Sequence, residues 1–229
     1  MPTVVAVSNP IVVAPPPDEA GVESNQRLTA ALGALLLVLL AVEGVTVLSV
    51  TSLLRWHVAI GMLVAPPVML KTGTTAWRIA RYYLGAPPYV RRGPPHPVLR
   101  VLGPLVIVLS WAVLLTGMIA LWKDGGDGST MLKLHKASFI AWFAVMTLHV
   151  LGHVLETIRV APLDWGRGPT VPGVGLRRGA LVASLVAGAG LALLGLAQVS
   201  TYLAAQEVTA ARGRRGRRGR RRRARRPGA

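Results

Sequence analysis

Six ionisable residues stand inside long stretches that otherwise carry almost no charge: Glu43, His57, Lys71, His135, His149 and His153. Imidazoles placed in this way can ligate a metal, hold a haem iron or pass protons. A glutamate and a lysine can pair, to move a proton or to fix the register of two helices. The spacing adds information. Lys71 follows His57 by fourteen residues, and His149 follows His135 by the same interval. That interval is close to four helical turns, or about 21 Å of rise, so each pair shares one helix face at two depths.

The elements that must position these residues are apolar. The chain has 229 residues, of which 52% are hydrophobic and only 15% charged, where a soluble domain is charged at about a quarter of its positions. The apolar residues form blocks long enough to cross a bilayer. The expected fold is therefore all-α, a polytopic transmembrane bundle of about five spans near 28–54, 57–84, 98–122, 131–158 and 179–203, occupying residues 27–204 of a multi-pass cell-membrane protein. Residues 1–26, rich in Pro and acidic side chains, and residues 205–229, rich in Arg, read as disordered tails. Pro66 and Pro67 predict a kink in the second span. Trp77, Tyr82 and Tyr83 with Arg78 and Arg81 mark a headgroup level. Pro94, Pro95 and His96 fall in a loop, Asp124–Gly128 in a turn, and the Gly and Ala of the fifth span suit close helix packing.

Spans two and four run in the same direction. His57 and His135 are then expected near one membrane face, with Lys71 and His149 deeper. The first span runs the opposite way, and Glu43, fourteen residues before His57, is expected near the deeper residues. The result is a histidine pair and a polar layer of Glu43, Lys71 and His149, with Glu43–Lys71 as the natural ion pair. A charge at mid-bilayer costs about 3 kcal/mol or more, so such groups face the interior and pair. Two imidazoles from facing helices suit bis-histidine haem ligation, and Gly61, one turn beyond His57, would leave room for a porphyrin. The simpler alternative is interfacial histidines with hydrogen-bonding roles only. His149 and His153, at i and i+4, could clamp a metal with Glu156 as a third ligand.

The segments LHKASFIAWFAVMTLHVLGH (residues 134–153) and RWHVAIGMLVAPPVMLK (residues 55–71) resemble the four-helix bacterial di-haem cytochromes b, including the membrane subunits of some hydrogenases and dehydrogenases. The resemblance covers residues 28–158. It implies haem b as cofactor, cofactor-binding roles for His57, His135 and His149, and His57 with His135 as axial ligands of the iron. Any enzymatic role would then be that of the membrane electron-transfer subunit of an oxidoreductase, working with a redox partner subunit or quinone. The departure is Lys71, which stands where the family pattern has a fourth histidine. The alternative function is a cofactor-free accessory, scaffold or transporter component built around the polar layer.

The absence of cysteine excludes disulfides, iron–sulfur clusters and covalently attached c-type haem. Eleven arginines lie between Arg212 and Arg226. Without interleaved aromatics or an attached nucleic-acid module they argue against nucleic acid as a partner and for anionic lipid headgroups. Five spans put the termini on opposite sides. The acidic N-terminal segment and the arginine run together favour an outside N-terminus, while the basic loops at Arg78–Arg100 and Arg159–Arg178 favour the reverse.

Overall fold

The computed structural model describes residues 19–93, 97–123, 129–166 and 171–224, with backbone alone for residue 99 and residues 205–224. Among these residues the chain is helical, without strands: α1 (Ala20–Val47), α2 (Val50–Tyr83), the short α3 (Pro87–Arg91), α4 (Pro97–Trp122), α5 (Thr130–Val160), a 3-10 turn (Ala161–Asp164) and α6 (Val174–Ala224). Five of the helices are long and apolar enough to cross a membrane, as an integral membrane protein requires.

Two expected boundaries move. α1 begins at Ala20, inside the expected N-terminal tail, and ends at Val47, not near Leu54. The reversal needs only Leu48 and Ser49, whose amides bond back to the Val45 and Thr46 carbonyls, each at 3.3 Å. The run Val45–Thr51 holds no Gly or Pro, so it reads as continuing apolar helix. Its β-branched residues nonetheless propagate a helix weakly, and Leu53, just beyond the turn, is non-helical at φ −107°, ψ 17°. At the other end, the backbone of α6 continues helical past Leu203 to Ala224, in place of the tail expected from residue 205, because Ala and Arg are strong helix formers. The tail segments 1–18 and 225–229, the Pro94–Pro95–His96 loop and the Asp124–Gly128 turn lie outside the described residues.

α1 packs between α2 and α5; α6 packs along α2, and α4 along α5. The prolines of α2 explain the α2–α6 contact. Pro67 has no N–H, which frees the Leu63 carbonyl four residues earlier. The helix continues through Pro66–Pro67, and Leu53 is the residue inside α2 with non-helical dihedrals. The freed carbonyl faces the backbone of α6 at Gly188, so closely that a methyl group added there would overlap the Leu63 oxygen. Gly195, seven residues on, meets Val58 and Met62 in the same way: an added Cβ would lie 2.9 Å from Val58 Cγ1. Neighbouring backbone thus covers a carbonyl that lipid could not satisfy.

The helix ends define two faces. The first face gathers the start of α1, the ends of α2 and α5, and the start of α6. Here Asp164, 7% exposed, lies between Arg27 and Arg177, which are 4% and 3% exposed. Arg177 Nη2 donates to Asp164 Oδ1 at 2.7 Å, Arg27 Nη1 to the same oxygen at 3.3 Å, and Arg27 Nε to Glu23 at 3.0 Å. Two arginines and two carboxylates balance in charge and tie α1, the 3-10 turn and α6 together. On the same face Arg81 lies over the Trp77 ring at 5.6 Å, and Trp77 Nε1 donates to the Tyr89 hydroxyl at 3.3 Å. The second face carries the α1–α2 turn and the start of α5, whose first turn is capped by Ser129 accepting from the Leu132 amide at 3.2 Å.

Because Gly188 touches backbone while a Cβ at Gly190 would meet open space, the two alanine variants should diverge. Gly188→Ala should lower unfolding stability in mixed micelles by about 1–3 kcal/mol, the cost of overpacking, with Gly190→Ala unchanged or slightly more stable.

Candidate functional site

The histidine pair expected from the spacing is brought together. The ring centroids of His57 on α2 and His135 on α5 lie 6.2 Å apart, with the ring planes at 69°. Both rings are half-buried near the second face. Their helices do not pack extensively against each other, since α2 lies on α1 and α6 while α5 lies on α1 and α4.

Each ring is held by its Nδ1. His57 Nδ1 lies 2.8 Å from Glu43 Oε1 and 3.2 Å from Thr46 Oγ1. Thr46 also donates to Glu43, through Oγ1 to Oε2 at 3.0 Å, and to the Glu43 carbonyl at 2.6 Å. His135 Nδ1 lies 2.9 Å from the Val113 carbonyl of α4. A carbonyl accepts only, so His135 carries its proton on Nδ1; the Glu43 carboxylate imposes the same on His57. In the neutral form of each ring the remaining nitrogen, Nε2, presents a lone pair. This is the arrangement in which outer hydrogen bonds fix the tautomer and orientation of a ligating histidine.

No protein-family model, curated protein or solved structure matches this chain.

The geometry can therefore be tested only against chemistry. Two imidazoles bound to opposite sides of one metal ion, with bonds of about 2.0–2.1 Å, place their ring centroids roughly 6.3 Å apart. The observed centroid separation is 6.2 Å, with the rings edge to face. A bare ion is a poorer match: among the described residues, no group of three or more His, Asp or Glu is placed to hold one. That also removes the His149–His153–Glu156 clamp, although the two rings are 4.7 Å apart and His153 Nδ1 is 3.6 Å from Glu156. A haem needs just two protein ligands, because the porphyrin supplies the other four nitrogens. His57 and His135 are two such donors.

The expected Glu43–Lys71–His149 layer is divided. Glu43 belongs with the histidines, because the turn at Leu48–Ser49 places it four residues from the end of α1, at a depth comparable to His57. Lys71 lies toward the first face and donates to the Thr29 carbonyl at 2.9 Å. His149 lies with His153, also toward the first face. Gly61 faces the Glu43 carboxylate, whose Oε1 would be 3.4 Å from an added Cβ.

Three contributors escaped the sequence reading. Thr46 looked like an ordinary polar residue of an apolar run. The Val113 carbonyl has no side-chain signal at all. Gly117 on α4 lets α5 approach, since a Cβ there would stand 2.9 Å from His135 Cε1; inside a span of Leu and Val, a lone Gly does not announce its partner.

The two candidate partners of Glu43 separate in double-mutant cycles on haem-free protein. Glu43→Gln with His57→Gln should show a coupling of about 0.5–3 kcal/mol, as contacting residues do, whereas Glu43→Gln with Lys71→Gln should be additive within about 0.5 kcal/mol.

Proposed function

We propose that this chain is a cell-membrane electron-transfer protein that holds one b-type haem through His57 and His135. The observation that carries this reading is the 6.2 Å ring separation with both Nδ1 atoms already engaged. When bound, a bis-histidine haem supplies one-electron transfer and keeps no iron position open for oxygen chemistry.

The chain's own residues supply the rest. His57 and His135 hold the group from two helices that otherwise have little contact. Glu43 fixes the His57 ring, and its carboxylate would favour the oxidised state of a haem held by that ring. The Val113 carbonyl and Gly117 fix the His135 ring. The apolar spans exclude water. Electrons would pass to or from a partner subunit or a quinone, and the arginine-rich end would engage acidic headgroups of the same membrane.

A second reading is supported by the Glu43–His57–Thr46 network, in which Glu43, Thr46 and His57 Nδ1 find partners within the chain. Under it the chain is an accessory or scaffold protein. Absorption spectroscopy of the purified protein separates the two. The haem reading predicts Soret and alpha bands in the reduced-minus-oxidised difference, lost in His57→Ala and in His135→Ala. Wild-type protein expressed with ample haem and showing neither band would leave the scaffold reading standing.

A further inference from the structure

The arginines of the first face divide by partner. Arg27 and Arg177 meet Asp164, and Arg91 and Arg92 reach Glu19 and Glu23 at 3.8 and 3.7 Å. Arg78 and Arg81 differ. Both are exposed, one turn apart near the end of α2. Among the described residues neither forms an ion pair.

Arg81 is held in place without a carboxylate. Its guanidinium carbon lies 5.6 Å from the centre of the Trp77 ring and 5.9 Å from that of Tyr89. The two rings form a fixed platform. Trp77 Nε1 donates to the Tyr89 hydroxyl at 3.3 Å, and Tyr89 is buried with Val22 of α1 and Ala86. Stacking on a ring face holds a guanidinium without consuming its N–H donors. Its edge can then meet the paired oxygens of a phosphate. Arg78, one turn deeper, adds a second positive charge.

An apolar track leads inward from this group. Met69, Gly73, Trp77 and Arg81 follow one another at four-residue intervals, a slanting ridge along α2. Met69 and Trp77 are 61% and 57% exposed, and a Cβ added at Gly73 would meet nothing. The ridge therefore dips between the two large side chains. From Arg81 to Met69 it descends about 18 Å, and half of a bilayer's hydrocarbon core is about 15 Å. An acyl chain lying along the dip would have its phosphate level with the arginines. Two guanidiniums without carboxylates favour a headgroup of net negative charge over a zwitterionic one.

We propose that Arg81, with Arg78 and the Met69–Gly73–Trp77 ridge, binds one acidic phospholipid in the leaflet at the first face. The site lies at the opposite end of the bundle from the histidine pair and from the arginine-rich end of α6.

The test is thermal unfolding of the full-length protein in mixed micelles, as phosphatidylcholine is replaced stepwise by phosphatidylglycerol. A ligand that binds the folded state raises Tm, and wild type should gain about 3 °C or more. The arginine-rich end meets the same lipid in every variant, so differences between variants report on the site. Arg78→Gln/Arg81→Gln should lose most of the gain. Arg91→Gln, whose arginine already has Glu19, should keep it. Should the double variant fail to fold, Arg81→Gln decides alone. No gain in wild type, an equal gain in the double variant, or an equal loss in Arg91→Gln overturns the proposal. So does an equal gain from inorganic phosphate in micelles without phosphatidylglycerol. None of these outcomes involves the visible spectrum, so this inference and the haem reading can fail separately.

Discussion

The carboxylate of Glu43, 2.8 Å from His57 Nδ1, is the contact around which the second face is organised. In lipid, a carboxylate without a partner is costly enough to dictate where helices reverse. The two-residue turn at Leu48–Ser49 brings Glu43 and His57 to one depth, and Thr46, at the end of α1, closes the network from the same helix. His57 is thereby oriented before anything binds to it. The Val113 carbonyl does the same for His135.

The rest of the bundle supports this arrangement from a distance. The freed Leu63 carbonyl and Gly188 draw α6 onto α2, and Gly117 lets α5 settle on α4. At the first face, Asp164 between two buried arginines locks the ends of α1, α5 and α6. The helices bearing the two histidines are each braced by other helices and not by one another.

Much of this is legible in the sequence, and the limits have physical causes. Span number and type follow from apolar length, and the pairing of His57 with His135 follows from the parallel course of spans two and four. The depth of Glu43 does not follow, because it depends on where the chain turns. A turn made by Leu48 and Ser49 carries no Gly or Pro to mark it. Lys71 was paired with Glu43 by charge alone; in the fold it meets the Thr29 carbonyl, and a backbone acceptor leaves no trace in side-chain chemistry. The same holds for Val113. Gly61 was placed beside His57 by its spacing; in the fold it also faces the Glu43 carboxylate of the neighbouring helix. The helical course of residues 205–224 follows from Ala and Arg propensity.

The central claim is that one histidine layer, and only one, is built to hold haem. Haem stoichiometry by the pyridine haemochrome method, on wild type and on His149→Ala, tests it most directly. The account predicts one haem per chain in both proteins. Two haems per wild-type chain, or loss of the single haem in His149→Ala with His57 and His135 intact, would contradict it.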